Sequence, residues 1–464
     1  MRYRDLTVCI GTSACVAQRE NALSKSMPKT TPPRSNNNAS VLESRITLCC
    51  LAVTMLGELR LLQIISRLTG VHWREQGPAF LVGFGHGGTH WIAAFFYLLL
   101  PYITRDLGFS YTDAGLLVAV FHLSALLANF GSGLMVDVTG RRVLFQIASL
   151  LIGAGALFAF GVTQQLLVLA LLVTLIGASN NLWHPPAIAY LSEMYPDNRG
   201  YALSIHALGA NLGDTLAPLA AGVLLTALTW QGAAATGAAP VVLIALLLAV
   251  LLLRKDNRTR AETRNGMSFS EYLLGLKRIV RDRLVLGLCL MAGFRSMAQN
   301  GLLVFLPLFL VNDLHSGPIW MGIAMMAMQM GGLVAAPVAG TWSDRIGRRP
   351  VVLAGLTVTT VVIAAITLIQ NDVTLVAAVS ILGFALFAVR PVIHSWMMDM
   401  VPASLSGSAA SLLFGTQSLL SVAVPPIGGL IADAYGLSAV FYFLAALMLI
   451  ANFLVYLLPQ QKRL

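Results

Sequence analysis

Residues 133–142 read GLMVDVTGRR, and residues 340–349 read GTWSDRIGRR. Each copy is a Gly, an Asp four residues on, a Gly three further, then Arg-Arg. Asp137 and Asp344 are 344 − 137 = 207 residues apart, nearly half of the 464-residue chain. Both copies sit between long apolar runs. A charged turn at the same place in two similar apolar halves is the pattern of a membrane protein built from two repeats, an architecture typical of transporters.

The bulk composition agrees. The chain is 57% hydrophobic and 11% charged, whereas a soluble surface wants about a quarter charged residues or more. Apolar segments long enough to cross about 30 Å of hydrocarbon recur throughout. Their boundaries predict twelve spans, at 77–104, 112–135, 142–161, 164–191, 201–228, 233–254, 284–311, 317–340, 350–369, 372–395, 403–431 and 436–458. The expected fold is all-α and polytopic, with two six-helix bundles. The net charge of +10 raises nucleic acid as a partner, but the Lys and Arg fall mostly in alternate loops. That is the positive-inside pattern, and no soluble face remains to carry a nucleic-acid stripe.

The expected organisation is a poorly structured or surface-lying extension at 1–76, a first bundle at 77–254, a basic linker at 255–283, a second bundle at 284–458 and a tail at 459–464. Residues 46–65 are apolar but carry Glu58 and Arg60, which makes them costly as a span. The linker's second part, FSEYLLGLKRIVRDR from Phe269, has the pattern of an amphipathic surface helix. Counting Lys and Arg places the linker, both termini and both Arg-Arg turns on the cytoplasmic side of the membrane; the expected location is a bacterial inner membrane. The five cysteines show neither disulfide nor metal-ligand spacing.

The halves match beyond the Arg-Arg turns. WHPPAIAYLSEMYP from Trp183 answers VRPVIHSWMMDMVP from Val389, so that His184 aligns with Arg390 (390 − 184 = 206), Pro185 with Pro391, Glu193 with Asp399 and Pro196 with Pro402. LLLPYI around Pro101 answers VFLPLF around Pro307, and Gly222 answers Gly428. An ordered series at one offset supports two bundles related by an axis along the membrane normal.

With these motifs the chain resembles the major facilitator superfamily of secondary transporters over about residues 77–458. Its motif G-x-x-x-D-x-x-G-R-[RK] is matched by Gly133, Asp137, Gly140, Arg141 and Arg142, and again by Gly340, Asp344, Gly347, Arg348 and Arg349. The resemblance implies that these residues govern gating rather than contact substrate. GFGHGGTHW from Gly83 and GASNNLWHPP from Gly177 resemble the fosmidomycin-resistance-like exporters. GANLGDTLAPLAAG from Gly209 resembles the Gly-Pro signature of drug–proton antiporters, departing from it at Ala217 and Ala221.

The polar residues inside the spans are the candidates for chemistry. His86 and His90 are four apart, so they share a helix face; His122, His184 and Asp214 lie on other spans, and Asn180 precedes His184 by four. Arg295 with Gln299, and Arg390 with His394, each share a face in the second half. A charge in lipid is expensive, so Arg295, Arg390 and Asp214 are expected to face the interior or a watery cavity. Histidine titrates near neutrality, which suits proton binding; a hydrogen bond across a helix contact is the plain alternative. His184, beside Pro185, is expected to pack against the carbonyl that the proline leaves free. His86 and His90 with His122 lack a set of acidic or cysteine ligands, so no metal site is expected. A phosphate-loop pattern is absent from the sequence, and no nucleotide-binding domain is evident to hydrolyse ATP. The expectation is therefore not an enzyme and no cofactor. The partners are a lipid bilayer, a small-molecule substrate and protons as the coupling ion, and the chain is expected to be a monomer.

Proton-coupled export of a small organic or drug-like compound is the expected activity, with Arg295 and Arg390 taking a negative or polar substrate group and Asp214 and the histidines of the first span exchanging protons. Proton-coupled uptake of an organic anion and a transporter-like membrane sensor are the alternatives.

Overall fold

The computed structural model describes Ser66, residues 70–256, Lys277, residues 280–401 and residues 406–458. Thr69–Leu464 forms one compact unit; Met1–Leu68 forms another, of which only Ser66 is described. The expectations for residues 46–65, for the amphipathic part of the linker and for the tail therefore lie outside the described residues.

Thirteen α-helices follow in order among the described residues: α1 Gly77–Leu107, α2 Tyr111–Thr139, α3 Arg142–Phe160, α4 Leu166–Leu182, α5 His184–Met194, α6 Arg199–Ala227, α7 Trp230–Asp256, α8 Arg283–Asn312, α9 Pro318–Ile346, α10 Arg348–Ile366, α11 Asp372–Met400, α12 Ser406–Tyr435 and α13 Leu437–Leu457. Eleven helical stretches are long and apolar enough to cross a membrane, with α4 and α5 counted as the single stretch Leu166–Met194. The 31-residue α1 makes the twelfth rod, about 46 Å long at the helical rise. It carries five glycines and two histidines, and most of it is buried among the other helices.

Two differences from the sequence reading have local causes. The fourth span is not one helix. It breaks at Trp183, the residue shared between the end of α4 and the start of α5, because Pro185 and Pro186 open α5 without N–H groups to donate back into α4. The Arg-Arg turns are also much shorter than the apolar boundaries predict. α2 runs to Thr139 and α9 to Ile346, so the first turn comes down to Gly140 and Arg141 and the second to Gly347 alone. Gly140 has φ +64° and Gly347 φ +98°, a region that a Cβ strongly disfavours.

The first seven helices and the last six form two bundles. α2 packs on α12, α6 on α9, and α1 on α8 across the divide. Close backbone approaches between the bundles cluster at one end. A Cβ on Gly115 of α2 would strike the carbonyl of Pro425, one on Gly429 of α12 would strike Tyr111, and one on Gly322 of α9 would strike the carbonyl of Pro218. At the same end Asp433 accepts hydrogen bonds from the backbone N–H groups of Tyr111 and Thr112, both at 2.9 Å. This end is the one opposite Gly140 and Gly347, since Tyr111 opens α2 and Pro318 opens α9.

Candidate functional site

The interior site is built by a glycine seam. Gly83 and Gly87 on α1 lie against Gly209 and Gly213 on α6, and a Cβ at Gly209 or Gly213 would run into the carbonyls of Gly83 or Gly87. Small residues four apart on both helices let two backbones touch, as they do in other membrane helix pairs. The seam carries His86 and His90 of α1 to His206 and Asp214 of α6. Gly85 does a related job, because a Cβ there would meet the Trp183 indole.

Four histidines gather at this seam. The His86 ring stacks on His206 at 3.7 Å and meets His90 and His184 edge-on at 4.9 and 5.0 Å. His86 Nδ1 lies 2.7 Å from the His206 carbonyl. A carbonyl only accepts, so Nδ1 carries the proton and Nε2 holds the lone pair. That Nε2 is buried with no hydrogen-bond partner. His90 Nδ1 lies 3.0 Å from Asp214 Oδ2, with each side chain 29% exposed. Trp183 Nε1 donates to His206 Nε2 at 3.1 Å. Ligand atoms of His86, His90 and His184 all lie within 4.8 Å of one another, close enough to share a metal ion.

His122, a candidate on another span, lies apart from this cluster. Its Nε2 is 3.3 Å from the Tyr97 hydroxyl, and His184 and His206 complete the cluster around His86. Asn180 is engaged structurally, donating to the Thr89 carbonyl at 3.2 Å. Trp183 and Tyr97 contact His206 and His122, and apolar patterning could not distinguish them from ordinary core aromatics.

The second bundle contributes positive charge. Arg295 is 2% exposed. Its NH2 donates to Gln299 Oε1 at 2.7 Å and to the Leu386 carbonyl at 2.9 Å, while its Nε is buried without a partner. Among the described residues no carboxylate forms an ion pair with it. Arg390, exposed within the body of α11, lies in electrostatic reach of Arg295, His184 and Asp214. Asp214's ion pair is with His90 rather than with Arg390. His394 packs edge-on to Phe414 at 4.9 Å, and its Nε2 has no partner. A buried arginine without a counter-carboxylate is costly, and an anionic or strongly polar group on this side of the interior would offset that cost.

The Arg-Arg turns show the repeat at atomic detail. Arg142, the second arginine of its turn, pairs with Glu193, and Arg348, the first arginine of its turn, pairs with Asp399 at 3.0 Å; each arginine opens its helix, and the two pairs share the 206-residue offset. Arg348 also pairs with Asp344 and donates to Ser343 Oγ at 2.7 Å. Arg349 donates to the Tyr456 carbonyl at 2.8 Å and lies over the Tyr456 ring. Arg141 is exposed at the start of α3. Gly133 and Asp137 fall within α2, but Asp137's side chain lies outside the described residues. Gly340 lies within α9, and a Cβ there would meet open space, so nothing in the structure explains that glycine.

Comparison with known proteins adds the relationship. The sequence model of the Major Facilitator Superfamily matches residues 79–334 and 288–463. The multidrug resistance protein MdtG of Proteus mirabilis (strain HI4320) is 26% identical over 349 residues, covering 74% of this chain and 85% of that protein. MdtG of Klebsiella pneumoniae (strain 342) is 25% identical over 360 residues, covering 75% and 85%. Among solved structures, a bacterial homolog of the human lysosomal transporter Spinster, inward-facing and unoccupied, superposes with a TM-score of 0.71 at 16% identity, over 82% of this chain and 96% of that one. The nucleoside transporter NupG superposes at 0.69 and 14% identity, over 83% and 100%.

Proposed function

Because the chain belongs to the Major Facilitator Superfamily and is a multi-pass membrane transporter rather than an enzyme, we propose that it exports a small organic, drug-like compound across the bacterial inner membrane by alternating access, driven by proton entry. The observation that carries this reading is the polar interior between the bundles. Asp214 with His90 stands on one side, and Arg390 with the unpaired Arg295 on the other. Charges kept at such cost inside a membrane protein mark a transport pathway. Relatives named for multidrug resistance support the outward direction. The contacts between bundles at the Tyr111–Asp433 end support an inward-open state, given that positive-inside counting puts the Arg-Arg turns in the cytoplasm.

Arg295 favours a second reading, uptake of an organic anion, because its guanidinium lacks a carboxylate partner. One experiment separates the two. Purified protein in proteoliposomes is screened against drug-like cations, neutral compounds and organic anions under a proton gradient of either sign. Export predicts substrate movement against the direction of proton flow. Movement with the protons hands the case to uptake, and transport indifferent to the gradient rejects coupling.

A further inference from the structure

We propose that His86, His90 and His184 form a three-histidine site for one divalent transition-metal ion of the zinc or nickel class. Imidazole nitrogens suit these ions. Each residue offers one ligand atom, and the three atoms lie within 4.8 Å of one another. Three nitrogens around a tetrahedral ion sit about 3.4 Å apart, given metal–nitrogen bonds of about 2.0–2.1 Å.

The protonation pattern is what turns three neighbouring rings into a site. His86 Nδ1 donates to the His206 carbonyl at 2.7 Å, which leaves a lone pair on Nε2, and that atom is buried with no partner. His86 is itself only 6% exposed, so a bare acceptor is held inside the protein, where leaving one unsatisfied is costly. His90 is oriented in the same way. Its Nδ1 faces the Asp214 carboxylate at 3.0 Å, an arrangement that fixes the tautomer and makes the other nitrogen a better ligand. His184 has no hydrogen bond to its ring among the described residues. His206 is excluded, because Trp183 already donates to its Nε2 at 3.1 Å. Three ligands leave a fourth position open, as in zinc sites that bind a further group.

The inference does not depend on the direction or coupling of transport, since it concerns binding alone. The full-length protein in detergent, stripped by chelator, is titrated with zinc chloride by calorimetry. Its zinc-loaded form is then examined by X-ray absorption. The expected result is one ion per chain with three imidazole ligands. His90→Gln and His184→Gln each should weaken binding tenfold or more. Asp214→Asn should weaken it about tenfold, through the orientation of His90. His315→Asn, in a loop where the residue holds φ 52°, should leave affinity unchanged. Thermal melts report whether each variant folds. Equal affinity in wild type and a folded His90→Gln/His184→Gln double variant overturns the site. So does a zinc-loaded wild type showing sulfur ligands or fewer than three imidazoles, whatever the variants do.

Discussion

Asp433 and Thr112, from opposite bundles, are joined by two hydrogen bonds. The carboxylate accepts from the Thr112 backbone N–H at 2.9 Å and from its hydroxyl at 2.5 Å. With the further bond from the Tyr111 N–H, a residue of the second half caps the first turn of a helix in the first half. Helix N-termini favour a negative charge and leave N–H groups to satisfy. This cap stabilises the state in which this end is closed.

Asp433→Ala should therefore shift the molecule toward opening at this end. A lost cap costs about 0.5–2 kcal/mol, enough to change a two-state ratio several-fold. Spin labels at Arg105 and Tyr435, both exposed near this end, should report a longer, broader distance distribution. Identical distributions in wild type and variant would remove the latch.

The glycine seam makes a stability prediction with its own control. Gly213→Ala forces a Cβ onto the Gly87 carbonyl, whereas the Cβ of Gly155→Ala meets nothing within 4 Å. Overpacking of this kind costs about 1–3 kcal/mol. The first variant should melt several degrees lower in detergent and the second should match wild type. Equal melting of the two would mean the helices part freely at the seam.

Arg142–Glu193 and Arg348–Asp399 are partly exposed pairs, and such pairs contribute about 1 kcal/mol or less. Breaking either should leave melting nearly unchanged while slowing transport, and the reversed pair Arg142→Glu with Glu193→Arg should recover part of the rate. Wild-type turnover in the Arg142→Ala and Arg348→Ala proteins would reduce these arginines to topology markers.

Asp137→Asn should slow transport greatly with substrate affinity largely retained, because one charge at a helix end biases an equilibrium between two states rather than shaping the cavity. Asp344→Asn should do less. Turnover at the wild-type rate in Asp137→Asn discards the gating role.

Arg390→Ala should weaken binding of an anionic or polar substrate roughly ten- to hundredfold, from about 1.5–3 kcal/mol for hydrogen bonds to a charged group. Arg390→Lys should cost less, since it keeps the charge but loses the planar fork. Because Asp214 pairs with His90, neither change breaks an ion pair between bundles, and melting should hold. Unaltered affinity in folded Arg390→Ala protein removes it from the substrate site.

The repeat was legible because its spacing is local. The Gly-Asp-Gly-Arg-Arg signature, the offset of 206 or 207 and the apolar runs all follow from chain order, and a helix must be apolar along its length to sit in lipid. Glycine at 140 and 347 could also be read as a turn from sequence alone. Placing His86 and His90 on one face was equally a matter of helical period.

Which residues meet those histidines was not a local matter. His184 and His206 reach His86, and His122 does not, because the Gly83–Gly87 and Gly209–Gly213 seam sets how α1 and α6 cross. Nor could spacing show that Asp214 turns to His90 rather than to Arg390, or that Asp433 reaches across to Thr112. The chain's sequence determined that it is a twelve-span, two-bundle transporter, since hydropathy and repetition act along the chain. Only the tertiary structure decided the polar cluster and the latch, since both depend on backbones brought within contact by packing.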